Sequence, residues 1–69
     1  MRANLIILKS TGLHAAAVIA KAHKKAKSAD VYEAAFVSDL EVFMSVREHG
    51  ADLGVFGRDN ALLAVVNFA

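Results

Sequence analysis

The sequence predicts a small α/β (α+β) protein: two helices against a single-layer mixed sheet of about four strands, in the order β-α-β-α-β-β. Three observations lead there. Short apolar runs bounded by Gly, Ser, Asp and Asn alternate with helix-forming stretches. A chain of 69 residues is one domain, residues 1–69, too short for separate catalytic and substrate units. There is no Pro, Gly occurs only 4 times, and no linker, repeat or low-complexity tract breaks the pattern.

Asn4 to Leu8 is a short apolar run with two Ile and two Leu, and reads as a buried strand. Ser10-Thr11-Gly12 ends it, and Ser10 or Thr11 can cap a helix beginning at Leu13. Leu13 to Ser28 is rich in Ala and Lys, both strong helix formers. At about 100° per residue, Ala15, Ile19, Ala22 and Ala26 share one face, and His14, Lys21, Lys24 and Lys25 the other. Val31 to Val37 reads as a strand. Ser38-Asp-Leu-Glu41 has the spacing of a capping box and starts a helix over Asp39 to His49, which Gly50 stops. Leu40, Phe43, Met44 and Val46 form the apolar arc of that helix. Arg47 projects within the arc, which is unusual; its stem is expected to lie over Phe43 with the guanidinium in water.

Asp52 to Gly57 reads as the third strand, Arg58-Asp59-Asn60 as a turn, and Ala61 to Phe68 as the last strand. A terminal helix is the rival for that last segment, because Ala and Leu open it. The first three strands are expected to run parallel, with the fourth returning as a hairpin. Two helices do not cover both faces of such a sheet. If both lie on one face, the other is left exposed and apolar. Pairing two such faces, or two edge strands, would make a homodimer.

Composition narrows the function classes. Hydrophobic residues make up 57% of the chain, high for a small domain, and this points to a second copy or another partner over some apolar surface. Cys is absent, which removes disulfides and thiolate metal sites and fits a cytoplasmic setting. The formal net charge is only +1, less than a strongly basic nucleic-acid binder carries. No apolar run approaches the roughly 18–20 residues of a membrane span, and the apolar run at the start is too short for a signal peptide.

No catalytic, cofactor or metal motif stands out. His14, His23 and His49 are far apart, without His-x-x-x-His or carboxylate spacing. Glu33 sits in an otherwise apolar segment with no second titrating group beside it, and reads as an edge-strand charge that blocks aggregation. Gly50, Gly54 and Gly57 bracket a strand rather than precede a helix, so they are a helix stop and turns, not a phosphate loop.

Thr11-Gly12-Leu13-His14-Ala15 resembles the active-site segment of the HPr histidine phosphocarrier family, and its place between a strand and a helix is similar. Met44-Ser45 faintly echoes that family's regulatory region. The resemblance implies a phosphoacceptor role for His14. It covers about five residues, and it departs where the family continues Ala-Arg-Pro: this chain has Ala16 and Ala17 in place of the Arg and Pro.

The remaining chemical feature is basic. Half of the 8 Lys and Arg residues fall in Lys21-Ala-His-Lys-Lys-Ala-Lys27. The expectation is a non-enzymatic protein-binding module without cofactor. Lys21, Lys24, Lys25 and Lys27 would steer it to an acidic protein surface, with Arg47 or Arg58 as the anchoring side chain. Small solitary domains of this kind are frequent among phage and mobile-element inhibitors of host systems, and from size alone the expected target is a host nuclease or nucleic-acid complex, occluded by occupying its surface. Nucleic acid is the alternative partner for the lysines. The aromatics are not interleaved with them, so base stacking is not indicated.

Overall fold

In a computed structural model describing residues 2–69, the strands are β1 (Ala3–Ile7), β2 (Ser45–His49), β3 (Asp52–Phe56) and β4 (Leu62–Phe68), and the helices are α1 (Leu13–Ala26) and α2 (Tyr32–Ser38). Two helices and a four-stranded sheet make a small α+β fold. The sheet order is β1-β4-β3-β2, and every pairing is antiparallel rather than mixed. The last segment is a strand, and it is central.

Two middle elements exchange type relative to the order the sequence predicts, giving β-α-α-β-β-β. Where the sequence predicts a strand over Val31 to Val37, Tyr32–Ser38 is helical. Its residues have helical spacing: Tyr32, Ala35 and Phe36 pack inward, while Glu33, Ala34 and Val37 face water. Glu33 therefore lies in the first turn of a helix, where a carboxylate complements the dipole, and not on a sheet edge. Where the sequence predicts a helix over Asp39 to His49, an irregular segment buries Met44 and leads into β2. Ser38 does not start a helix but ends one, its Oγ donating to the Ala35 carbonyl at 2.8 Å. Gly50 is not a helix cap. It opens the two-residue β2–β3 connection at φ 65, the backbone that tight hairpin turns require.

The β3–β4 connection at Arg58-Asp59-Asn60 is a turn, as the sequence indicates. Asp59 and Asn60 both have positive φ (60 and 59), and Ala61 N–H donates to the Arg58 carbonyl. Two left-handed central residues make a type I′ turn, the kind whose twist matches a hairpin.

The core lies between the helices and one face of the sheet. It comprises Ile19, Ala22 and Ala26 of α1, Phe36 of α2, Met44, Val55 of β3, and Ala64 and Val66 of β4. The alanines of α1 allow close approach to the strands. Register places Leu5 and Leu53 on either side of Val66, and Ile7 and Val55 on either side of Ala64, all on the helix side. Among the described residues no helix covers the opposite face. It is not the continuous apolar surface the sequence suggests. One row is Ile6, Val65, Gly54, Arg47, and the next is Asn4, Asn67, Asp52, His49. In the polar row Asn4 Nδ2 donates to Asn67 Oδ1 at 3.3 Å, and Asn67 Nδ2 to Asp52 Oδ1 at 3.4 Å.

Candidate functional site

Helix α1 places the lysines. With Ile19, Ala22 and Ala26 turned into the core, the 100° step puts Lys21 and Lys24 on the far side and Lys25 and Lys27 on opposite shoulders. All four are exposed. Lys24 and Lys25 also sit in the last turn, where positive charge opposes the dipole's negative end. Lys25 is partly neutralised by Asp39, Nζ to Oδ1 at 3.3 Å. Among the described residues, Lys21, Lys24 and Lys27 have no carboxylate at ion-pair distance.

The basic surface continues past the end of α1. Lys27 borders an open cleft of about 770 Å³ with Arg2, Asn4, Asp30, Tyr32 and Phe68. Arg2 thus shares this cleft with Lys27, and with Asp30, though it is far from both in sequence. The pairing of Arg2 with Ala69 at the end of the β1–β4 ladder puts it there. A sequence reading that takes clusters from neighbouring positions does not find it.

Of the two arginines expected as anchors, Arg47 does not join this face. Arg47 is on β2 and points to the open side of the sheet. Its guanidinium carbon lies 4.0 Å from the centroid of the Phe56 ring, and Nη1 donates to Asn60 Oδ1 at 3.1 Å. The ring under its side chain is Phe56, then, and not the Phe43 that a helical arc would supply. Phe56 itself folds back over Gly54, where only a missing side chain leaves room, and meets the His49 ring edge-on at 6.2 Å. Arg58, in the type I′ turn, stands 5.5 Å above the Phe43 ring.

The histidines fall in three separate places. His49 ends β2, not a helix. His23 packs against α2, with Nδ1 at 2.5 Å from the Tyr32 hydroxyl. Burial, and secondarily Lys27, holds the His23 imidazole below its ordinary pKa, and burial pushes the Tyr32 phenol up to about 12. Both effects favour a neutral pair, in which the phenol donates and the imidazole accepts.

His14 lies in the first turn of α1, where the phosphocarrier resemblance puts its acceptor. Its Nε2 is 2.7 Å from Glu41 Oε1. A phosphoryl group on that nitrogen would meet a carboxylate, and no guanidinium stands in the next positions of the helix to balance it. Nowhere among the described residues do three His, Asp or Glu side chains converge as metal ligands, and no helix there is long and apolar enough to cross a membrane.

Comparison with protein-family models, with curated proteins and with solved structures gives no match. The functional reading therefore rests on the geometry of these surfaces.

Proposed function

We propose that this protein is a non-enzymatic, cytoplasmic protein-binding module that acts as a homodimer and docks on an acidic protein surface through the outer face of α1. The observation that supports this is the set Lys21, Lys24 and Lys27, turned away from the core without carboxylate partners among the described residues and continued by Arg2. Like charges held on a rigid helix raise the rate of encounter with an acidic partner and orient it. Inhibition by occlusion is the mode of action such a surface suits, since a rigid charged face can cover a partner's surface by shape and charge alone.

The test is affinity capture from a lysate of the source organism, treated with nuclease, using wild type, a Lys21→Glu/Lys24→Glu/Lys27→Glu variant and Arg47→Ala. A protein retained by wild type and Arg47→Ala but lost from the triple variant is the expected result. Retention by all three removes α1 from the reading. Binding that vanishes on nuclease treatment, and that weakens with salt by about 0.9 log units per phosphate contact for each log unit of salt, would assign the face to nucleic acid instead.

A further inference from the structure

We propose that the second copy in the homodimer adds at the free edge of β1, pairing antiparallel with the partner's β1 about a two-fold axis at Leu5. The inference rests on the homodimer element of the functional reading and is independent of what the lysine face binds.

The hydrogen-bond parity of β1 is set by its ends. Arg2 and Ala69 exchange both backbone bonds, and Leu8 N–H donates to the Leu63 carbonyl. In an antiparallel ladder bonded pairs alternate, so Asn4 and Ile6 complete the set toward β4. The N–H and C=O groups of Ala3, Leu5 and Ile7 therefore point outward, along the open side of an edge strand.

The two edges of the sheet differ. β2 carries Arg47 and Glu48 in mid-strand, the kind of charge that keeps an edge from pairing. β1 has no charge between Arg2 and Lys9, and Ile6 is 58% exposed on it. An uncharged apolar edge is what a strand-adding partner takes. The open sheet face is a poorer site for a second copy, because its Asn4–Asn67–Asp52 ladder already satisfies its polar groups within one chain.

A copy of the same chain fits the β1 edge because one antiparallel register pairs it without setting like charges opposite each other. With Leu5 opposite Leu5 of the second copy, Ala3 stands opposite Ile7, and every outward group finds its counterpart, about two bonds per pair. Asn4 stands opposite Ile6, and Arg2 opposite Leu8, so neither flanking cation faces another. A two-fold axis normal to the sheet keeps both helix layers on the same side. The dimer is then one continuous sheet carrying two α1 lysine faces that point the same way.

The experiment combines native mass by sedimentation with amide hydrogen exchange by NMR, on wild type, Ala3→Pro and Ile6→Lys. Proline at position 3 removes an N–H that by the alternation of bonded pairs points away from β4, so the β1–β4 ladder keeps its bonds. Circular dichroism at low concentration checks that both variants fold. Expected are a wild-type mass of twice 7.3 kDa, concentration-dependent protection of the Leu5 and Ile7 amides, and association weakened at least about tenfold in both variants. A dimer whose Leu5 and Ile7 amides stay unprotected, and which survives both substitutions, overturns the edge pairing while leaving the homodimer in place. A monomer at every concentration overturns both. Protection that appears only when another protein is added overturns self-pairing and assigns the edge to that protein.

Discussion

Replacing Gly54 by Ala puts a methyl group where the Phe56 ring lies. The new Cβ would stand 2.7 Å from Phe56 Cε1, 3.0 Å from Cζ and 3.0 Å from the His49 Cβ. The ring is half-buried at the surface, so it swings aside rather than straining the strand. Swinging gives up the stack with Arg47, about 0.5–1 kcal/mol at an exposed site. It also gives up the edge contact with His49, about 0.5–1.5 kcal/mol. Against this, Ala stiffens the unfolded chain and gains about 0.5–1 kcal/mol. The net expectation for Gly54→Ala is a loss of about 1 kcal/mol, at most about 2, or several degrees in Tm for a domain of this size. In a Phe56→Ala background the obstacle is gone and the sign reverses, leaving a gain smaller than about 1 kcal/mol because His49 Cβ is still close. The assay is urea denaturation of wild type, both single variants and the double variant at one protein concentration, followed by far-ultraviolet circular dichroism. A coupling of about 1–2 kcal/mol is expected. Additivity within about 0.3 kcal/mol would show that Phe56 does not lie over Gly54, and the account of Arg47 as a pre-stacked side chain would go with it.

Three other parts of the molecule give further expected outcomes. Phe36 is fully buried, and Phe36→Ala should cost about 3–5 kcal/mol, comparable with the whole stability of so small a domain; circular dichroism at 25 °C should show a largely unfolded chain. Gly50→Ala meets nothing within 4 Å yet should cost about 1–2 kcal/mol, purely because φ is 65; Gly50→Asn should cost less, as thermal melts would show. The folded-state pKa of His23 is lowered, so its stabilisation is fully present above the unfolded value of 6.5 and is lost as pH falls through that value toward the folded one. Melting temperature should therefore drop between about pH 7.5 and 5 by more in wild type than in His23→Gln, and an equal drop would remove His23 from the cause.

β1, α1, the third strand and the turn at Arg58-Asp59-Asn60 are legible in the sequence because each carries a local signal; the final strand is the preferred reading there, with a helix as its rival. Alanine and lysine propensity marks α1. Asp59-Asn60 are among the residues that accept left-handed backbone. The middle of the chain misleads for identifiable reasons. Val31, Tyr32, Phe36 and Val37 favour strands by propensity, yet two turns of helix suffice to put Tyr32 against Phe68 and Phe36 into the core, and packing decides. Ser38 and Glu41 have capping-box spacing, but Glu41 turns to His14 instead. The signal that points the right way is Arg47. An arginine inside a helical apolar arc is a contradiction; on a strand, Val46 faces in and Arg47 faces out without conflict. Gly50-Ala51 between His49 and Asp52 also has the two-residue spacing of a hairpin. For the candidate site, the lysine face is legible because it is local to one helix. The placement of Arg2 and the separation of Arg47 are not, because both depend on sheet order.

That separation limits what a partner can be. The α1 lysines stand outside the helix layer, and Arg47 stands on the far side of the sheet beneath it. The helix layer lies on one side of the sheet, and side chains extend outward from each. One flat acidic surface therefore touches the lysines or Arg47, not both. Charge reversal on α1 and loss of Arg47 should then act on different binding events, which is why Arg47→Ala serves as the control for the lysine variant. Pairing at the β1 edge leaves both faces uncovered and doubles each. A partner with two acidic sites on one plane would gain from the doubled lysine face through effective concentration, with no new contact in either copy. Weakened binding to such a partner on Ala3→Pro, with the lysines intact, is the consequence that joins the edge to the basic face.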